Sequence, residues 1–195
     1  MKRETVAEIW VFVMLVAVGV GMRVMSNSLE LWNFAPVTAA ALFAGYFLSR
    51  RSVAVAVPVL IMVVSNFWLL SYDDWRVAVA IYAAVALPVL CRGILRRRYS
   101  ALAIGGCAAG SSLAFFAVSN IVFWYFYGAL QTPAMGLWQS YVAAVPFYKY
   151  TLASDLVWSA LFFGSYTMAA RIGVVSAVHA EVKVPTGAGI TPAAR

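Results

Sequence analysis

Ala101 to Tyr125 reads ALAIGGCAAGSSLAFFAVSNIVFWY, a run without a single Asp, Glu, Lys or Arg. A helix on the surface of a soluble protein needs a polar face. This run has none, and its few polar positions are small hydroxyls and one amide. At about 1.5 Å per residue it is long enough to cross a hydrocarbon core of about 30 Å. The stretch therefore reads as a transmembrane helix. Working outward, further apolar runs lie at about 7–25, 34–48, 52–71, 77–95 and 150–171. The expected fold is all-α, a polytopic membrane bundle of about six transmembrane helices.

The composition agrees. Of 195 residues, 64% are hydrophobic and only 11% charged, with a mean hydropathy of +0.88. A soluble domain carries about twice that share of charge. An outer-membrane barrel would alternate apolar and polar residues, and Val53 to Val64 does not. Lys2 and Arg3 precede the first run as they would in a leader, but Met25-Ser26-Asn27-Ser28 is a poor cleavage match, so the first run reads as a retained helix. Residues 126–149 form a longer connection, where Pro133, Gly136 and Pro146 surround an amphiphilic stretch, Leu137 to Val145. A short interfacial or re-entrant helix is expected there.

The net charge of +7 does not indicate a nucleic-acid partner, because the basic residues cluster at helix ends, as in Arg50-Arg51 and Arg96-Arg97-Arg98. Such clusters set topology. With the N-terminus in the cytoplasm, eleven basic residues fall on that side (Lys2, Arg3, Arg50, Arg51, Arg92, Arg96, Arg97, Arg98, Arg171, Lys183 and Arg195). Only Arg23, Arg76 and Lys149 fall outside, so both termini come out cytoplasmic. Residues 1–171 then form the transmembrane domain and 172–195 a flexible cytoplasmic tail, which ends its hydrophobic run after Arg171.

That topology gathers polar residues toward the outer side: Arg23, Asn33, Asn66, Asn120 and Asp155. A charge inside a membrane helix costs roughly 2.5–3.5 kcal/mol at the centre and calls for a partner. For Asp155 the candidates on its side are Arg23 and Lys149. Two readings stand for the group. They line an outward-facing pocket, or the amides join helices together. Trp68, Trp124 and Tyr141 belong to an excess of rings on the same side, with Trp32, Trp75, Trp138, Tyr125, Tyr127, Phe147, Tyr148 and Tyr150. An aromatic belt occupies both interfaces, so a one-sided excess suggests a lined cavity. The ligand-binding candidates are thus Arg23, Asn33, Asn66, Trp68, Asn120, Trp124, Tyr141 and Asp155.

Ser65-Asn66-Phe67-Trp68 is echoed by Ser119-Asn120 with Phe123-Trp124. Ala17 with Gly21, and Gly106 with Gly110, are small residues spaced by four that permit close helix contact or meet a partner subunit. Pro58 and Pro88 are expected to bend their helices or loosen a turn. His179 is the only histidine, and Cys91 and Cys107 lack a CxxC partner. No nucleophile, base and orienter come together, and no phosphate-binding loop is present. No catalytic residue, cofactor or metal is expected, and the chain does not read as an enzyme.

The blocks Asn33-Phe34-Ala35-Pro36-Val37-Thr38-Ala39-Ala40-Ala41-Leu42-Phe43-Ala44-Gly45, Ser119-Asn120 with Phe123-Trp124, and Tyr141 to Phe147 followed by Thr151-Leu152 and Ser154-Asp155-Leu156 resemble those of a family of small, uncharacterised bacterial six-helix integral membrane proteins. In that family glycine often precedes the aspartate, where this chain has Ser154. More distantly, the chain is similar to the S-components of energy-coupling-factor vitamin transporters. The resemblance implies an S-component-like bundle in the bacterial cytoplasmic (inner) membrane, an outward-facing pocket, and a membrane coupling subunit as partner. Departures are specific: many S-components carry aspartate where Asn66 stands, and their stripe of small residues on the first helix is reduced here to Ala17 and Gly21. The leading expectation is a substrate-binding or uptake protein for a small, vitamin-like nutrient, its partners being that small-molecule ligand, the lipid bilayer and a coupling or complex subunit. The alternative is an accessory or assembly subunit of a larger membrane complex.

Overall fold

A computed structural model describes residues 3–31, 34–69, 72–128 and 136–172. They form a helical bundle: α1 (Arg3–Ser28), α2 (Val37–Phe47), α3 (Arg51–Ser65), α4 (Trp75–Ala86), α5 (Arg92–Arg97), α6 (Ala101–Phe123) and α7 (Leu137–Arg171). A 3-10 turn, Leu87–Cys91, joins α4 to α5, and a π-helical turn, Trp124–Gly128, extends α6. Three helical stretches are long and apolar enough to cross a membrane: Thr5–Ser28, Trp75–Arg97 and Ala101–Gly128. The chain is thus a membrane-embedded helical protein.

Helix α2 organises the bundle. It begins after Pro36 and runs through Ala39-Ala40-Ala41-Leu42, strong helix formers. All eleven of its residues are buried, and it touches each of the other six helices. At about 1.5 Å per residue it is only about 17 Å long, well short of the hydrocarbon core. Both ends therefore stop among other helices, where a free carbonyl costs several kcal/mol. The flanking carbonyls are satisfied. Ser26 donates to Phe34 O, and Ser154 donates to Ala35 O at 3.3 Å. At the far end Arg96 donates to Tyr46 O (2.9 Å) and Leu48 O (2.8 Å), and Arg92 to Leu48 O (2.9 Å) and Ser49 O (2.7 Å). Glu8 of α1 accepts from the Ser49 backbone at 3.0 Å and from its hydroxyl. Cations at a helix C-terminus also complement its dipole.

Close approach depends on two glycines. A Cβ on Gly45 would meet Val89 O at 3.1 Å, so its absence lets α2 lie against the 3-10 turn. A Cβ on Gly19 would meet Ile61 at 2.3 Å, so α1 sits tightly on α3. The small residues singled out by spacing behave otherwise, since Gly21, Gly106 and Gly110 have nothing within 4 Å of that position. Pro88 lies in the 3-10 turn and does loosen the helix there, while α3 continues through Pro58.

Two expectations change. Residues 137–171 are one continuous helix of 35 residues, with Pro146 inside it, in place of a separate interfacial helix followed by a span. At about 52 Å by its rise, α7 outruns the hydrocarbon core, and its first half packs along α6. Tyr141 donates to Ala117 O at 2.7 Å, and Phe116 meets Tyr148 with ring centroids 4.9 Å apart. The densest ring cluster is also unexpected. Phe43, Tyr46 and Phe47 of α2 pack against Tyr99 and against Phe162, Phe163 and Tyr166 of α7, at the end of the bundle that holds Arg92 and Arg96. The tail after residue 172 lies outside the described residues.

Candidate functional site

The opposite end of the bundle holds a cavity of about 210 Å³. Its wall is built where α1 ends, α2 begins, α3 ends and α7 passes its middle. Among its described lining residues only Arg23 and Asp155 are charged. Arg23, near the C-terminal end of α1, is held in place by its Nη1, which donates to the Ser65 hydroxyl and, at 2.8 Å, to Asn66 Oδ1. Asn66 in turn donates through Nδ2 to the Tyr82 hydroxyl at 2.7 Å. A chain of side chains from α1 through the end of α3 to α4 thus fixes the guanidinium.

Asp155 stands on the α7 side and is only 3% exposed. The Thr38 and Ser112 hydroxyls face its carboxyl, yet Oδ2 has no hydrogen-bond partner among the described residues. Ser112 Oγ and Ser159 Oγ are likewise buried without one. Buried polar atoms are almost always partnered, so the Asp155 oxygen stands out beside the cavity. The first turn of α2, Val37 and Thr38, lines the same space, and the positive end of its dipole favours negative charge there. Tyr72 closes another side, and burial pushes its phenol up, keeping it a neutral donor. The remaining wall is mostly apolar, with Phe34, Met62, Val85 and Phe115.

A second, smaller cavity of about 80 Å³ lies between α6 and α7, and Phe115 and Thr151 border both. Asn120 lines it, but its amide donates to Phe116 O, 2.8 Å away in its own helix. Phe147 and Tyr148 line it too.

The eight sequence candidates therefore separate. Arg23 and Asp155 line the main cavity, and Asn66 positions Arg23. Asn120 belongs to the smaller cavity, and Tyr141 ties α7 to α6. Trp68 is 67% exposed and Trp124 lies in the π-helical turn beyond α6; neither is among the described lining residues of these two cavities. Asn33 falls outside the described residues. Neither expected cation pairs with Asp155: Arg23 turns to Asn66, and Lys149 lies 4.9 Å from the Tyr150 ring centre. The rings that do line the main cavity are Phe34, Tyr72 and Phe115. Sequence reading missed these, along with Ser65, Tyr82, Thr38 and Thr151. The hydroxyls Thr38 and Ser112 inside apolar runs were the available signal.

Residues 3–177 match a family described as "Family of unknown function (DUF6580)". The chain belongs to this family. The match takes in the entire described bundle of this DUF6580 member, including both charged walls of the cavity. No curated protein and no solved structure matches the chain. Among the described residues no three His, Cys, Asp or Glu side chains gather as metal ligands would.

Proposed function

We propose that this DUF6580 member is a substrate-binding or uptake protein of the bacterial cytoplasmic membrane, crossing it six times with both termini in the cytoplasm and holding a small nutrient in the Arg23–Asp155 cavity. The observation that carries this reading is the buried Asp155 carboxyl, which borders the cavity and lacks a partner for Oδ2 among the described residues. Helix glue would leave both groups bonded to neighbouring helices; Arg23 is so bonded through Ser65 and Asn66, but Asp155 Oδ2 has no hydrogen-bond partner among the described residues. The clustering of arginines at the end away from the cavity supports an outward opening by the positive-inside rule.

The orientation has a direct test. Thr151→Cys in a Cys91→Ser, Cys107→Ser background places one thiol at the border of both cavities. On intact cells it is expected to react with a membrane-impermeant maleimide. Reaction only after permeabilisation would reverse the topology, and no reaction in either state would remove the accessible cavity.

A second reading, an accessory subunit of a membrane complex, has one observation in its favour. Gly105, Gly106 and Gly110 form a patch of α6 with no neighbour within 4 Å of where a Cβ would stand.

A further inference from the structure

We propose that the cavity takes a small zwitterion, its ammonium on Asp155 and its carboxylate on Arg23. This rests on reading the cavity as a ligand site and names the class of ligand. Among the described residues, the lining carries one positive and one negative group and is otherwise uncharged. In a low-dielectric bundle each ligand charge needs an opposite partner, because an unpaired buried ion costs several kcal/mol. A cationic ligand would answer Asp155 and leave Arg23 facing a second positive charge. An anionic ligand would do the reverse. A zwitterion pairs both walls and adds no net charge to the membrane interior.

The details of each wall fit. Both bonds that hold Arg23 use Nη1, so Nη2 and Nε remain to meet a carboxylate, which guanidinium groups bind in a planar fork. Asp155 offers Oδ2, which has no hydrogen-bond partner among the described residues, with the Ser112 and Thr38 hydroxyls beside its carboxyl. Between the walls, Phe34, Met62, Val85 and Phe115 provide an apolar surface for a short hydrocarbon body. The volume, about 210 Å³, equals about seven waters at roughly 30 Å³ each, the scale of an amino acid.

The test uses the full chain in lipid nanodiscs, with calorimetry and thermal unfolding. The probes are leucine and unbranched ω-amino acids from glycine to 6-aminohexanoate; hexanoate and hexylamine carry one charge each. At least one zwitterion is expected to bind at least about tenfold more tightly than either single-charge probe. Asp155→Asn and Arg23→Gln are each expected to weaken it roughly thirtyfold or more, the scale for losing one partner of a buried charge pair. Asp155→Asn keeps the side chain's shape, and gel filtration with unfolding curves confirms that each variant is folded. Hexanoate or hexylamine binding as tightly as every zwitterion overturns the charge assignment and leaves the cavity as a ligand site. Should no probe bind, native mass spectrometry decides. A copurified molecule that depends on Asp155 supports the proposal if it is zwitterionic and overturns it otherwise, while none at all overturns both this proposal and the reading beneath it.

Discussion

Asn66 and Asn120 each follow a serine in two loosely similar stretches, Ser65 to Trp68 and Ser119 to Trp124, yet one reaches across helices and the other folds back on its own. Asn66 follows the last turn of α3, so its amide is free to join Arg23 to Tyr82. Asn120 sits inside α6, where the carbonyl four residues back is the nearest acceptor. Place in the helix, more than residue type, separates a positioning amide from a locally satisfied one, and sequence spacing did not reveal that difference. Asp155 was legible because a carboxylate inside an apolar run has few harmless explanations. Its expected pairing with Arg23 was not legible, since Ser65 and Asn66 compete for the guanidinium only after α3 ends beside α1. At this scale, Asn66→Leu removes an acceptor from Arg23 and a donor from Tyr82. It is expected to destabilise the protein by about 1–3 kcal/mol, read as a lower unfolding midpoint in mild detergent. Tyr82→Phe, which leaves Arg23 its acceptor, should cost less, about 1 kcal/mol. If Asn66→Leu unfolds as the wild type does, the relay through Asn66 does not hold the site.

Helix α2 shows how an element too short for its medium is accommodated. Its apolar run and the proline before it were readable, and its shortness suggested a helix wrapped by others, as found. What spacing could not show is that Arg92 and Arg96, which look like topology signals, spend their donors on the carbonyls at its end. Leu48 O receives both arginines, so each covers for the other. Arg92→Met and Arg96→Met are therefore expected to cost about 1–3 kcal/mol singly, and the double variant to exceed their sum by about 1 kcal/mol. Strict additivity in chemical unfolding would mean that the two arginines do not share that carbonyl. The last helix was misread because Pro146 was taken as a boundary. Proline within a membrane helix is tolerated where neighbours support the backbone, and α6 runs alongside this part of α7.

Across the molecule, the membrane class followed from composition and uncharged runs alone, because lipid admits few alternatives to an apolar helix. The distribution of rings did not follow. The tryptophans Trp68, Trp75 and Trp138 are each at least two-thirds exposed, while the tightest aromatic packing lies among Phe43, Tyr46, Phe163 and their neighbours at the arginine end. That end is a fastened one, with α2 clasped by arginines and stacked rings. The other end keeps a cavity between a fixed cation and a carboxyl whose Oδ2 has no partner among the described residues. This contrast between the two ends supports the proposed uptake reading. The most direct measurement is native mass spectrometry of the full chain, released from lipid nanodiscs, comparing the wild type with Asp155→Asn. The wild type is expected to carry a small molecule that the variant has lost. The same small molecule retained at the same occupancy in both would contradict the assignment of Asp155, and a wild type without any would contradict the cavity as a binding site.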